Sequence, residues 1–271
     1  MSEEKVSLSN QVPQPQPGEQ LYTPPTATVP LPSQGKVYAQ NSALYAKEIL
    51  EIRAMTARDE DILTSRALLK SGRAIDTLLK SCIHDKNIDV DSMLSGDRNA
   101  ALVAIRITGY GQGYNISVTC PKCEEKFEHE FDLSKLEIKQ LQVEPRAPGV
   151  NEFTFTLPVS RKTVIFKLPT GADERDLSLT IDRMRKASGG LESLVTTRLL
   201  SQIVSIDDEQ DKSKLAQFIR NMPARDSRDL RSYMDKISPG INMKQLVVCE
   251  SCNEESEVDV PMGTEFFWPE S

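Results

Sequence analysis

The chain has 271 residues, of which 33 are basic and 40 acidic, giving a net charge of −7 and a pI near 5.1. This acidic balance disfavours broad, sequence-independent nucleic-acid binding, which requires a basic surface. No apolar run reaches the roughly 18 residues of a membrane span, and the N-terminal MSEEKVSLSN has no apolar signal-peptide core. We therefore expect a cytosolic protein without a membrane span, in which cysteines stay reduced.

The first part of the chain is predicted to form an arm and a helical subdomain. Residues 1–28 are polar and proline-rich, bury too little apolar surface to offset the entropy of ordering, and predict a disordered arm. Residues 29–109 begin with the turn-rich LPSQGKVY and continue with three predicted helices. The first covers 56–72, with Thr56 and Asp59 as its capping pair, the second covers 73–85, and the third runs from Asp97 to before Gly111.

After residue 110 the hydrophobic pattern changes from helical to alternating, which is typical of strands. YNISVTC and KFEHEFD flank the sequence CPKC, and KQLVVC and SEVDVPM flank CESC near the C-terminus. These four segments predict two β-hairpins, over 110–135 and 243–271, which together form a split zinc-ribbon.

The segment between the hairpins, residues 136–242, is predicted to be an insertion. It contains a hairpin that turns at Ser160–Lys162 and a helix capped by Thr170 with Asp173. Two further helices are separated by Pro223, and another has an apolar stripe formed by Leu191, Leu194, Val195, Leu199 and Ile203. The predicted fold class is thus α+β: a helical N-terminal part and a zinc-ribbon-like pair of hairpins with a long hairpin-plus-helices insertion.

Four of the five cysteines form two Cys-x-x-Cys pairs, which are Cys120 with Cys123 and Cys249 with Cys252. A tight turn with two intervening residues directs both sulfurs to one point, and two such turns supply the four thiolates of structural zinc. Because 125 residues separate Cys123 from Cys249, the metal would join distant parts of the chain. We predict one structural Zn²⁺ per chain.

Three alternative roles for these cysteine pairs stay open at the level of sequence. A redox pair is disfavoured because neither pair visibly opens a helix that would lower a thiol pKa, and disulfides are typical of secreted chains. Coincidental spacing is the third alternative. Cys82 lies on the apolar face of the second helix and is predicted to be a core residue. His129 is predicted to support the core or the ligands, and His84 to be exposed.

The sequence carries no recognisable catalytic motif. It contains no GxxxxGK[ST], no HExxH and no GxSxG, and its two histidines leave little for a histidine-based triad. We therefore predict no enzymatic activity, no catalytic residues and no small-molecule substrate.

Three large aromatic residues, Phe266, Phe267 and Trp268, stand close together near the end of the chain. Two interpretations are open. They fold back onto the ribbon as core, or they insert into a pocket of a partner protein as anchors.

Several longer motifs occur in a distinctive order. PSQGKVY is followed by MTARDEDILTS, then by LSGDRNA with GYG, and the chain closes with CESC and FFWP. This arrangement resembles the T-even-type phage baseplate protein family, associated with the central hub of contractile-tail baseplates. The resemblance extends from about Leu31 to Pro269.

The resemblance implies a non-enzymatic subunit or assembly protein of the baseplate hub, with other hub and tail proteins as partners. It implies assembly in the host cytoplasm and a final location in the tail baseplate of the virion. The four paired cysteines would bind metal. Met55–Thr64, Asp97–Asn99 and Phe266–Pro269 match the family pattern without an assigned role.

The alternative function is a zinc-ribbon adaptor for nucleic acid or the transcription machinery. The flanks of the cysteine pairs, EEKFEHEF and NEESEVDV, are acidic and would repel phosphates. We therefore expect no nucleic-acid partner.

Overall fold

The structure is a computed structural model that describes residues 23–187, 194–262 and 264–267. It is a mixed α and β protein with small sheets, in agreement with the predicted class. The helices are α1 (Ala57–Thr64), α2 (Arg66–Lys70), α3 (Ala74–Cys82), α4 (Ser95–Tyr110), α5 (Gly171–Ala187), α6 (Leu194–Gln202), α7 (Lys212–Asn221) and α8 (Ala224–Ile237). Within the described ranges, no helix is long and apolar enough to cross a membrane.

Within the residues that the structure describes, the strands are short and belong to five separate sheets. They are β1 (Thr26–Pro30), β2 (Ile49–Arg53), β3 (Gly113–Thr119), β4 (Lys126–Asp132), β5 (Ile138–Lys139), β6 (Phe153–Thr156), β7 (Thr163–Phe166), β8 (Ile203–Ile206), β9 (Gly240–Ile241), β10 (Lys244–Val248) and β11 (Glu255–Asp259). Short 3-10 turns cover Leu133–Lys135 and Thr264–Phe267.

The described chain opens with a strand pair that the sequence pattern did not predict. β1 pairs antiparallel with β2, and Val29 lies opposite Leu50. Both side chains are buried, so the pair contributes to the core. Residues 26–28, assigned above to the arm, therefore lie in a strand, and residues 1–22 lie outside the described residues.

The first predicted helix is in fact two helices. The Thr56 N–H and hydroxyl both donate to the Asp59 carboxylate at 2.8 Å, as the capping pair predicts. A single helix over 56–72 was wrong, because Ser65 has an extended backbone (φ −65°, ψ 109°) between α1 and α2. The Thr64 hydroxyl donates to the carbonyls of the last turn of α1, which favours termination there.

Helices α3 and α4 lie at the centre of the core. Leu78, Leu79 and Cys82 of α3 are fully buried, which confirms the predicted apolar face and the core position of Cys82. Helix α4 begins two residues before the predicted Asp97 and ends at Tyr110, just before the glycine where the third helix was expected to stop.

The two predicted hairpins around the cysteine pairs are present. β3 pairs with β4, and β10 pairs with β11, each antiparallel and each in its own two-stranded sheet. Between them, β5 pairs with β9, with Ile138 opposite Ile241. This small sheet brings together the two ends of the segment between the hairpins.

The intervening segment contains the sheet β6–β7–β8 and helices α5 to α8. The continuous helical stripe predicted there was wrong. Helix α6 ends at Gln202, and the β-branched run Ile203–Ile206 pairs with β7 as a third strand. Leu194 and Val195 are exposed, Leu199 is buried, and Leu191 lies outside the described residues.

Pro223 separates α7 from α8 as predicted, and α8 carries a buried anchor. The Asp226 carboxylate accepts the backbone N–H groups of Val159 and Ser160, at 2.7 and 2.9 Å. These bonds hold the turn of the β6–β7 hairpin against α8. The division into arm, N-terminal subdomain, split ribbon and insertion stays a prediction.

Candidate metal centre

The first cysteine pair lies in the turn between β3 and β4. The Cys120 N–H donates to the Glu125 carbonyl at 2.9 Å, and the Glu124 N–H donates to the Cys120 carbonyl at 3.0 Å. Glu124 has a left-handed backbone (φ 60°), which lets the chain reverse within this short turn. The turn directs the sulfurs of Cys120 and Cys123 to the same side.

The second pair repeats this turn in a distant part of the chain. The Cys249 N–H donates to the Glu254 carbonyl at 3.0 Å, and the Asn253 N–H donates to the Cys249 carbonyl at 2.9 Å. Asn253 occupies the left-handed position (φ 53°), which asparagine tolerates well. The two knuckles, residues 120–125 and 249–254, are therefore the same structure built twice.

The two knuckles face each other and bring four sulfurs together. The Sγ atoms of Cys120 and Cys252 are 3.7 Å apart, as are those of Cys123 and Cys249. All four sulfurs lie within 4.8 Å of one another. A tetrahedron with Zn–S bonds of about 2.3 Å would place its sulfurs about 3.8 Å apart, so this set fits zinc.

Neither a disulfide nor a thioredoxin-type redox role matches this geometry. The cysteines are free, and their 3.7 Å separations are far from a bond of about 2.05 Å between sulfurs. Each pair lies between two strands, so neither opens the helix that redox pairs of the thioredoxin type use.

The pKa values of Cys120 and Cys123 shift in opposite directions. Backbone N–H groups of Cys123 and Lys122 donate to the Cys120 sulfur and lower its pKa to about 7. The Glu125 N–H lowers the pKa of Cys123, but partial desolvation of the sulfur and the neighbouring cysteine sulfurs outweigh it and raise that pKa to about 12. Four thiolates so close together repel one another, and a divalent cation relieves this repulsion.

One ion pair joins the knuckles beside the sulfurs. Lys122 of the first knuckle contacts the carboxylate of Glu254 in the second. The sequence did not predict this pair, although a lysine in one knuckle and a glutamate in the other were visible signals. Both side chains are partly exposed, so the ion pair helps to orient the two knuckles but contributes little to the free energy of folding.

The remaining cysteine and the two histidines lie outside the cluster. His129 is partly buried between the rings of Phe127 and Phe131, at centroid distances of 6.5 and 4.7 Å. It therefore supports the β4 face, and it does not belong to the four-residue sulfur cluster. His84 is exposed, as predicted. Cys82 is a buried core residue, and its burial raises the pKa of its thiol to about 12.

Two of the three C-terminal aromatic residues belong to the core. Phe266 and Phe267 are fully buried, and the Phe266 ring meets Tyr114 of β3 edge-on at 5.2 Å. The Phe266 carbonyl accepts a 2.7 Å bond from Nε of the buried Arg106. The core interpretation thus holds for these two residues, whereas Trp268 lies outside the described residues.

The first two motifs without an assigned role contain buried carboxylates. Asp59, in Met55–Thr64, accepts from Arg53 at 2.7 Å and from the Ser81 hydroxyl at 2.6 Å. Asp97, in Asp97–Asn99, accepts from the Ser33 N–H at 2.9 Å and from the Tyr38 hydroxyl at 2.5 Å. Asp97 thereby attaches the turn-rich lead-in to the start of α4.

The pKa values of these two carboxylates shift in opposite directions. Burial raises the pKa of Asp59, but bonds from Arg53, Ser81 and Thr56 outweigh burial and hold the pKa well below its usual range. Burial dominates at Asp97 and raises its pKa despite the bonds from Ser33 and Tyr38.

A comparison with models of known protein families identifies a match for this chain. A family model described as "T4 bacteriophage base plate protein" matches residues 25–268, which include both knuckles and the whole segment between them. Searches among curated proteins and among solved structures returned no match.

Proposed function

The chain belongs to the T4 bacteriophage base plate protein family, and on that premise we propose that it is a non-enzymatic subunit of the baseplate hub. In this proposal the protein is folded around one structural zinc ion and assembles with other hub and tail proteins. The observation that carries the proposal is the family match over residues 25–268, which covers most of the chain.

The zinc part of the proposal is supported by the donor set. Cys120, Cys123, Cys249 and Cys252 provide four sulfurs at distances that suit one tetrahedral ion. Four protein ligands leave no open position for water or substrate, so the ion would be structural. When bound, it would contribute folding free energy by joining the β3–β4 and β10–β11 hairpins.

The non-enzymatic part is supported by what the buried polar groups do. Asp59, Asp97, Arg106 and Asp226 each bond to backbone or to neighbouring side chains that hold elements together. The cleft at the N-terminal end of α4 measures about 590 Å³, and neither histidine nor any cysteine lines it.

The proposed location follows from the family. The protein would be assembled in the host cytoplasm and finish in the tail baseplate of the virion. Its net charge of −7 and the exposed glutamates beside both knuckles support protein partners over nucleic acid.

The proposal is tested by affinity purification of the tagged protein from infected cells, with mass spectrometry of its partners and elemental analysis of the same sample. We expect tail hub proteins and about one zinc per chain. Recovery of polymerase subunits or nucleic acid without any tail protein would replace the hub assignment with the adaptor alternative. A mobility shift that weakens as salt rises would support that replacement.

A further inference from the structure

The two knuckle hairpins share a backbone but differ on their outward faces. Counted from the first cysteine of each knuckle, Ser117 and Thr119 of β3 correspond to Leu246 and Val248 of β10. Leu246 is 74% exposed and Val248 51% exposed, and Leu246 is the most exposed large apolar residue in the described chain. Because the β3 hairpin forms with hydroxyl residues there, the knuckle does not require these apolar side chains.

The backbone groups of Leu246 and Val248 point away from β11. Hydrogen bonds at both ends of the hairpin fix which residues bond across it. These bonds are Cys249 N–H to the Glu254 carbonyl (3.0 Å) and Val260 N–H to the Met243 carbonyl (2.7 Å). Leu246 and Val248 therefore present their N–H and C=O groups to the other edge, where no strand of the described chain pairs. At Lys244, the start of the strand, the N–H donates to the Asn242 side-chain oxygen at 3.2 Å. A free strand edge of this kind is a template for a further strand.

A row of carboxylates borders this apolar edge. Glu255, Glu257 and Asp259 of β11 are exposed on the same face as Leu246 and Val248. Lys244 Nζ on β10 lies 3.3 Å from the Glu257 carboxylate on the adjacent strand β11, so a basic side chain can reach this row from a neighbouring strand. An arginine or lysine on an added strand would lay its apolar stem over Leu246 and Val248 and direct its charge to the row.

We propose that the outer edge of β10 accepts a β-strand from another baseplate protein, and that this strand carries basic residues on the face it shares with Leu246 and Val248. The identity of the partner rests on the proposed function, but the acceptance of a basic strand does not. A second copy suits this edge less well, because its β10 carries only Lys244 as a basic residue on the shared face, and that lysine already lies beside Glu257 of its own hairpin. Main-chain hydrogen bonds would supply affinity, and the acidic row would supply selectivity.

The first experiment uses an acetylated ten-residue peptide of alternating arginine and valine, titrated into the ¹⁵N-labelled full-length protein. We expect the amide signals of Leu246 and Val248 to shift most and to gain protection from exchange. A control peptide with every backbone amide N-methylated keeps its charge but has no N–H group with which to pair, and it should bind at least about tenfold more weakly. Equal binding of both peptides would overturn the proposal, because charge alone would explain it.

The second experiment locates the edge with matched variants. Leu246→Pro removes an N–H that faces the free edge, whereas Ser117→Pro makes the same change at the corresponding position of β3. We expect the peptide to lose its affinity for the first variant and to keep it for the second. The double variant Leu246→Ser with Val248→Thr copies the β3 residues and should weaken binding about tenfold without unfolding the hairpin.

Three further results would overturn the proposal. They are full peptide binding by the double variant, shifts centred on β3 or β11, and a wild-type dimer in sedimentation velocity that Leu246→Pro dissociates. The last would assign the edge to a second copy. Absence of tail proteins from the affinity purification would remove the hub assignment while leaving the peptide result in place.

Discussion

Cys249 performs two tasks with one residue. Its backbone closes the second knuckle through bonds to Glu254 and Asn253, and its sulfur lies 3.7 Å from that of Cys123 in the other hairpin. The side chain is buried, so any residue that replaces it must fit into the same small space. Serine fits the space but is a poor zinc ligand beside three thiolates.

Replacing Cys249 with serine should reduce zinc content from about one ion per chain towards zero and lower the melting temperature. Elemental analysis and a thermal melt measure the two effects. Ser251→Ala, an exposed and non-ligand change in the same knuckle, should alter neither. Wild-type zinc content and melting in the Cys249→Ser protein would exclude the four-cysteine site.

Asp59 makes stability depend on pH. Its pKa is below the usual value of about 3.9 in the folded chain, so its contribution is present above about pH 4 and is lost as pH falls further. Asp59→Asn should cost on the order of 2–4 kcal/mol at pH 6, because Arg53 and Ser81 lose their carboxylate partner. The loss of unfolding free energy between pH 6 and pH 3 should be smaller in the variant.

Urea titrations of both proteins at each pH, with a metal chelator present, measure this difference without a contribution from the cysteines. Asp61→Asn, in the same helix but exposed, serves as the control and should follow the wild type. If Asp59→Asn lost as much stability on acidification as the wild type, another group would be responsible.

At the scale of elements, the start of α4 is held against β9 by close backbone contact. A Cβ atom on Gly96 would lie 2.0 Å from the Pro239 carbonyl oxygen, so only glycine allows this approach. Farther along the same helix, a Cβ on Gly109 would meet Met55 at an ordinary 3.7 Å.

These two glycines make a matched pair for mutagenesis. Gly96→Ala should cost about 1–3 kcal/mol by forcing α4 and β9 apart, whereas Gly109→Ala should be neutral or stabilise by up to about 1 kcal/mol through helix propensity. Chemical denaturation of both variants tests this. Equal effects would mean that the α4–β9 contact is not close in solution.

Local patterns explain which elements the sequence could predict. The capping pair Thr56–Asp59, the apolar face of α3 and the knuckle spacing each depend on residues a few positions apart, and each appears in the structure. β1 and β8 were missed because their strands are defined by partners, β2 and β7, that are distant in sequence. Prolines beside β1 resemble an arm, and a short apolar run such as β8 does not distinguish strand from helix.

At the scale of the whole molecule, metal binding should determine the local stability of the two hairpins and should have little effect on the stability of the intervening sheet. Removing zinc with a chelator should increase amide exchange in β3–β4 and β10–β11, because their tips lose the shared ion. Exchange in β6–β7–β8 should change little, since Asp226 and α8 hold that sheet. Hydrogen-exchange mass spectrometry measures both regions, and a uniform change throughout the chain would contradict this separation.

The small β5–β9 sheet has a consequence for the order of folding. The chain between Cys123 and Cys249 has 125 residues, but once β5 pairs with β9 only 14 residues remain between Cys123 and Ile138, and seven between Ile241 and Cys249. The entropic free-energy cost of bringing the two knuckles together then falls by about 1.5 kcal/mol. The intervening segment should therefore fold first and zinc should be captured last, so the rate of metal uptake reports how fast that segment folds.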